Sequence, residues 1–422
     1  DGVSPDTERR RMTMDRDDAR SPALARVARG RLCAGCGGCA LVAPESVAME
    51  MRAPGFLRPV QSAPLSAAEE ARIARICPGL GQTVTAGKRR DDPLWGPFLE
   101  MRTGHATDEG LRHVASSGGA LSAVLVHLVE TGAVEGVVQT AAAAAVPVAN
   151  ATVLSRTPGE IAAASGSRYA PSAPLAGLEA HLAAGRPLAF VGKPCDVAAL
   201  RALAAEDARV DAVFPVMLSF FCAGVPAQAG AEAVLGALGV APDEVAAFRY
   251  RGHGWPGRAT ARLADGAERS MSYHDSWGGI LSKHVQHRCK ICADGTGAAA
   301  DLVCADAWEV DERGYPLFEE RPGISLLVAR TEAGARLMAG AEAAGRIATG
   351  PFDAAGLAAI QPGQRERRRA LLARLLGLRV TARPVPRYRG LNLLAAARQN
   401  PPGRNLKNFL GMVRRVMRGR LG

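Results

Sequence analysis

Leu188-Ala189-Phe190-Val191-Gly192-Lys193-Pro194-Cys195, followed further on by Val213-Phe214-Pro215-Val216-Met217-Leu218-Ser219-Phe220-Phe221-Cys222, decides the fold class. Leu188–Gly192 and Val213–Phe221 are continuous apolar runs of strand length without polar alternation, the pattern of strands covered on both faces. Helical patterns lie between them, so the two runs read as neighbouring strands of an α/β core. Upstream, Leu121, Val124, Leu125, Leu128 and Val129 recur at helical spacing between Ser116-Ser117, a capping signal, and Gly132. Strands are expected near Val134–Gln139 and Val146–Leu154. The uncharged run Gly136–Ser155 reaches about bilayer length, but Gln139, Thr140, Pro147 and Asn150 make it two strands and a turn.

The chain has 422 residues, 48% of them hydrophobic and 22% charged, enough to bury a sizeable core and to exclude a disordered or fibrous protein. Nine cysteines are too few and too unevenly placed for a disulfide scaffold, which points to a reducing, cytoplasmic setting. Asp1 opens the chain without a charged and then apolar leader, which reads as a truncated or processed start. Residues 361–422 hold sixteen Lys/Arg and one acidic residue, a local balance of +15 against +11 for the whole chain, so the first 360 residues carry −4. The basic character belongs to a tail.

These shifts divide the chain into a flexible lead-in (1–30), a small cysteine module (31–90) ending in the linker-like Lys88–Pro93, a core in two parts (98–187 and 188–350), and a basic helical tail (351–422). No repeat of fixed period is visible.

Cys33-x2-Cys36-x2-Cys39 sits among Gly35, Gly37 and Gly38. The spacing wraps three thiolates around the corners of a cube, while glycines let backbone N–H groups approach sulfide. Where a ferredoxin run places its fourth Cys-Pro, this chain has Ala43-Pro44, so Cys77-Pro78 is the expected fourth donor. A ferredoxin-like iron–sulfur module fits better than structural zinc, whose modules usually pair two CxxC hairpins. Cys195, Cys222 and the pair Cys289-x2-Cys292 are dispersed. If the two apolar strands are parallel neighbours, their carboxyl ends bring Cys195 and Cys222 to one edge. Spacing alone leaves open whether these four form a second site or pack as small apolar residues; Cys304 reads as structural.

Ser116-Ser117-Gly118-Gly119, ahead of a helix, offers free N–H groups to an anion such as a diphosphate. Gly166-Ser167-Arg168-Tyr169 presents a cation and an aromatic face suited to a flavin or nucleotide. Arg249-Tyr250-Arg251-Gly252-His253-Gly254-Trp255-Pro256-Gly257 joins guanidiniums, rings and glycines in a loop suited to a planar anion. His253 and Tyr273 are the candidate proton donors, and Asp301 and Asp306, ahead of Trp308, are candidates to orient ribityl or ribose hydroxyls or tune a cluster's potential. In the tail, Asn405–Leu421 reads as a helix with Leu406, Phe409, Leu410, Val413, Val416 and Met417 on one stripe, and Arg414, Arg415, Arg418 and Arg420 largely off it. Such a segment suits an anionic membrane surface or an acidic partner. Nucleic acid is disfavoured by the sparse charge on the body.

Together these phrases resemble the coenzyme F420 hydrogenase/dehydrogenase beta-subunit family, which includes divinyl chlorophyllide and hydroxymethyl chlorophyll reductases. The resemblance covers about residues 31–350 and rests on CAGCGGC with Cys77-Pro78, ASSGGALSAVLVHLVETGAVEGVV, GSRYAP, VGKPCDVAALRAL, FFCAGVP, FRYRGHGWPG and RCKICADGTGAAADLVCADAW, in that order. It implies FAD and two [4Fe–4S] clusters, the second on Cys195, Cys222, Cys289 and Cys292. It also implies flavin contacts at Ser117, Gly118, Gly119, Ser167, Arg168, Arg251 and Gly252. The phrases stand nearer the generic branch of the family than the chlorophyllide reductases. The expected activity couples ferredoxin or another redox protein to two-electron chemistry on a small organic acceptor or the deazaflavin coenzyme. The rival expectations are a non-catalytic electron-transfer subunit and, more distantly, a zinc-stabilised binding protein.

Overall fold

The computed structural model describes residues 20–308 and 320–419. The cysteine module comprises helices α1 (Pro22–Gly30) and α2 (Gly38–Val42), a hairpin β1 (Val47–Arg52) and β2 (Phe56–Gln61), helix α3 (Ala67–Ile76) and strand β3 (Gly81–Thr83). The core runs through β4 (Glu100–Ala106), α4 (Ala120–Glu130), β5 (Val137–Ala142), β6 (Asn150–Ser155), β7 (Ala189–Val191), α5 (Pro194–Ala204) and β8 (Val216–Phe220). A separate antiparallel sheet, β9 (Val245–Arg249), β10 (Arg258–Leu263) and β11 (Glu268–Ser272), precedes β12 (Leu302–Asp306), β13 (Ser325–Ala329) and β14 (Ile347–Pro351). Helix α6 (Pro362–Val380), strand β15 (Arg387–Arg389) and helix α7 (Pro402–Met417) follow.

The main sheet has the order β14-β4-β13-β12-β8-β7-β5-β6. Its centre is parallel: β5 pairs with β7, β7 with β8 and β8 with β12, with Leu218 opposite both Val191 and Leu302. The outer strands β6, β13, β4 and β14 run antiparallel to their neighbours. Phe190, Leu200, Phe214 and Met217 fill one core and Val124, Leu128, Leu218, Leu302 and Leu327 another. Two-sided burial is the reason the central runs read as unbroken apolar sequence. Because four parallel strands end together, the residues just after β7 and β8 share one edge, where α/β sheets place ligands.

Several expectations shift. The predicted strands at 134–139 and 146–154 are observed at 137–142 and 150–155, antiparallel, with Val137 opposite Ser155. Helix α4 is capped by Gly119 at φ +71°, not by the serines, and both its Leu121 and its Val129 are only partly buried. Of the lead-in, residues 1–19 lie outside the described residues, but Pro22–Gly30 is a helix: Ser21 Oγ accepts from Leu24 N (3.0 Å), Pro22 opens the first turn, and Ala23, Val27 and Gly30 are buried. The linker-like segment pairs Arg90–Asp92 with Gly96–Phe98.

The tail is not an appendage. Leu371, Leu375, Leu378, Val385 and Met412 share one core with Val27, Leu32, Val84 and Ile291, so the cysteine module and the tail bury each other. The tail helix spans Pro402–Met417, and the predicted Arg420 and Leu421 lie outside the described residues.

Candidate functional site

The first cysteine set is built by local geometry. Gly35 (φ +78°) and Gly37 (φ +87°) turn the loop in conformations only glycine adopts without strain. Cys33, Cys36, Cys39 and Cys77 line one small pocket with Leu24, Val27, Met49, Ile73 and Ile76. Gly35 N donates to Cys33 Sγ at 3.4 Å. Burial pushes the Cys36 thiol well up and the Cys77 thiol to about 11, and the neighbouring sulfurs add to both. Burial and neighbouring sulfurs oppose ionisation of Cys36, Cys39 and Cys77, an opposition that positive metal centres would relieve by taking the thiolates as ligands.

The second set is assembled by topology. Pro194 starts α5 and puts Cys195 in its first turn, Cys222 follows β8, and Cys289 and Cys292 lie on the short helix His287–Lys290 and just after it. Burial raises the Cys195 thiol well above its ordinary value, and Asp196, Cys222 and Cys289 add to the rise. Burial and then Cys289 lift Cys222 to about 12. Cys289 Sγ accepts from Val225 N (3.4 Å) and Gln286 Nε2 (3.5 Å). Among the described residues, no group of three or more His, Cys, Asp or Glu side chains is placed to hold a single metal ion. A cubane cluster asks for a different geometry: each thiolate binds a separate iron, so its four sulfurs stand farther apart than the ligands of one zinc.

The two sets are neighbours. Gln286 Nε2 also reaches Ala34 O (3.4 Å), between Cys33 and Cys36, and Arg288 Nη2 donates to Pro78 O (2.7 Å), beside Cys77. Arg288 is 2% exposed, and its Nε and Nη1 have no partner among the described residues. Buried Asp196 faces both Cys36 and Cys195. Its Oδ2 holds Lys193 Nζ (2.7 Å), which also donates to Ser172 Oγ (2.9 Å).

The tail braces the second set through backbone carbonyls. Gln364 Nε2 (3.0 Å) and Arg367 Nη2 (2.6 Å) donate to Cys222 O, Arg374 Nη1 donates to Lys290 O (2.9 Å), and the Tyr388 hydroxyl donates to Ile291 O (2.9 Å). Buried Arg368 donates to the carbonyls of Ala293, Leu391 and Pro93.

A cavity of about 300 Å³ opens at the carboxyl edge of the parallel strands. Its lining includes Ser116, Ser117, Gly119, Ser167, Arg168, Tyr169, Cys222, Arg251, Tyr273 and Asp306 from the sequence-derived set, together with Lys193, Cys304 and Trp308. Cys222 therefore borders both the second set and the cavity. The cavity combines aromatic faces with the N-terminus of the 11-residue α4, the donor set a planar anionic ligand needs. Burial holds the Tyr273 phenol well above its ordinary value, so its proton stays in place at neutral pH.

Other candidates fall differently. Arg168, expected to hold an anion, spends its guanidinium on Phe248 O, Pro147 O, Ala149 O and Asn150 Oδ1. Arg251 forms a two-pronged pair with Asp306 (2.8 and 2.8 Å), donates to Pro256 O, and lies against the Tyr273 and Trp308 rings. Buried guanidiniums must satisfy their donors, and here protein acceptors do so; both arginines shape the wall. Arg249 pairs with Glu268 outside the cavity. His253 lies with it in an adjacent cleft, edge-on to His113 at 5.7 Å, so it is not placed to serve a ligand in the main cavity. Gly118 and Gly252 are close-approach positions: an added Cβ would meet Ser325 N at 2.6 Å and Val114 O at 2.4 Å. Asp301 is a structural clasp, accepting from Arg201 and Met217 N at 2.8 Å each. Lys193 was missed, although its place directly after a core strand was a readable signal.

Two family models match: coenzyme F420 hydrogenase/dehydrogenase beta subunit, N-terminal, over residues 101–179, and the same subunit's C-terminal model over residues 185–355. The chain belongs to that beta-subunit family. Within this family member, the matched ranges hold the cavity's serines and the whole second cysteine set, whereas the first set and α6 onward lie outside them. Among solved structures, the chain is similar to one in the xenon-derivatised F420-reducing [NiFe] hydrogenase complex from Methanosarcina barkeri. The two share 20% identity with a TM-score of 0.52, over 66% of this chain and 91% of that one, a likeness of fold. No curated protein matches. No helix among the described residues is long and apolar enough to cross a membrane.

Proposed function

We propose that this subunit is an oxidoreductase in which Cys33, Cys36, Cys39 and Cys77 hold one [4Fe–4S] cluster and Cys195, Cys222, Cys289 and Cys292 a second, with FAD in the cavity at the sheet edge. The observation that carries the reading is Cys222, which belongs to the second set and lines the cavity, while Gln286 and Arg288 join that set to the first. A flavin bound there supplies the exchange between hydride transfer and single-electron traffic. The chain's own residues provide the surroundings. Lys193, which burial alone would pull down, is held charged by Asp196 and Cys195, placing a fixed cation at the cavity wall. Tyr273 keeps a proton at the same wall, and the Arg251–Asp306 pair fixes the aromatic face beside it. Ser167, Gly119 and the start of α4 are the candidate diphosphate contacts, and a small organic molecule or the deazaflavin coenzyme is the acceptor class. The setting is cytoplasmic.

A second reading, an electron-transfer subunit without a substrate of its own, draws on the neighbour's being one chain of a hydrogenase complex. Anaerobic purification with iron, sulfide, zinc and flavin quantitation tests the main reading: about eight iron and one FAD per chain are expected from two cubane clusters. A colourless, zinc-loaded, flavin-free protein overturns it. Activity of the isolated chain with a small acceptor, against copurification of a stoichiometric partner, separates the two readings.

A further inference from the structure

Arg26, Arg29, Arg379, Arg383 and Arg387 converge on one open cleft of about 380 Å³, bordered also by Ala382, Pro384 and Val385. Three contacts bring these distant segments together. Arg26 Nη2 donates to Val385 O (3.3 Å), Gly30 seats against Pro384, and β15 pairs in parallel with β3, with Arg387 opposite Gly81. No carboxylate among the described residues pairs with any of the five. Five like charges facing one space raise the energy of the chain, and no carboxylate among the described residues offsets it. A surface built only for solubility intersperses both signs. Among the described residues the counter-charge is missing.

Position decides its nature. On α1, Arg26 and Arg29 face the cleft while Leu24 and Val27 line the pocket of the first cysteine set. Strand β3, which carries β15, begins three residues after Pro78. The cleft thus stands about one helix thickness, ~10 Å, from the first set. We propose that this arginine cleft is the docking face for an acidic redox protein. A small metabolite gains nothing from that place, whereas an electron carrier with carboxylates around its redox group gains both orientation and the shortest approach. The proposal rests on reading Cys33, Cys36, Cys39 and Cys77 as cluster ligands. It gives the basic tail a function: residues 379–387 complete a surface that α1 begins.

The test uses the full chain, purified anaerobically, and an acidic plant-type [2Fe–2S] ferredoxin as probe, titrated by calorimetry at low and high salt. The variants are Arg26→Glu with Arg29→Glu, Arg379→Glu with Arg383→Glu, and the control pair Lys407→Glu with Arg414→Glu on α7. Glutamine versions of the cleft pairs serve where charge reversal lowers solubility. Ferredoxin affinity is expected to fall at least about tenfold in each cleft pair and with added salt, and to be unchanged in the α7 pair. Cleft variants that bind ferredoxin as the wild type does overturn the proposal. So do cleft variants that instead lose binding to phosphatidylserine-containing vesicles. Iron content, measured on the same samples, keeps the premises apart: an iron-loaded wild type that ignores ferredoxin sinks the docking face alone, and an iron-free wild type that binds it sinks the cofactor reading alone.

Discussion

The first cysteine set draws three thiols from seven consecutive residues, whereas the second gathers four from a helix start, a strand end and a distant CxxC. The first takes three of its four thiols from one loop and only Cys77 from the end of α3. The second exists only while β7 and β8 stay parallel neighbours and α6 stays clamped over Cys222, Lys290 and Ala293. One chain therefore holds a locally encoded site and a globally encoded one, about a side chain apart at Gln286.

The largest effect expected from breaking that contrast comes from serine replacements. Cys36→Ser and Cys222→Ser should each lower iron by about half, four of about eight, since each cubane needs four thiolates. Only Cys222→Ser should also loosen the flavin, because Cys222, unlike Cys36, borders the cavity; equal flavin retention in both would break the comparison. Next comes Arg368→Met, which leaves three buried carbonyls without their donor and should cost about 3 kcal/mol in denaturant unfolding. Its iron loss on warming should come from the second set before the first, as followed by electron paramagnetic resonance. Arg288→Gln removes the cation lying between the sets and should move both midpoint potentials downward, since positive charge favours the reduced, more negative state. A shift in one potential alone would assign Arg288 to a single set.

The smallest effect is at His253. Burial, then Arg249, holds its imidazole below the ordinary value. As pH falls below about 6.5 the unfolded chain takes up a proton that the folded chain resists, so this residue's contribution falls with pH and is absent as a penalty above that range. His253→Asn, which suits the residue's φ of +55°, should flatten that slope in thermal melts while leaving turnover unchanged. A collapse in turnover would return His253 to the catalytic machinery.

Legibility in the sequence tracked locality. The CxxCxxC spacing announced the first set, and the unbroken apolar runs at 188–192 and 213–221 announced strands buried on both faces; the shared edge of Cys195 and Cys222 was conditional on a parallel pairing that only the fold supplies. The roles of Arg168 and Arg251 could not be read: an arginine in a glycine-rich loop looks free until the carbonyls of Phe248, Pro147 and Ala149, or the carboxylate of Asp306, are brought to it by the fold. The tail misled for the same reason. Counting its charges described a basic helical tail suited to an anionic surface or an acidic partner, but Arg367, Arg368 and Arg374 point inward, and only Leu406, Leu410 and Met417 on α7, at 57%, 53% and 78% exposed, keep the amphipathic face that the pattern suggested.

The clamp formed by residues 364–388 also sets an order of events during biogenesis. All nine cysteines precede it along the chain, so during synthesis every prospective ligand has emerged before the side chains that seal the second set exist. Until α6 docks, the carbonyls of Cys222 and Lys290 lack the side-chain donors that hold them.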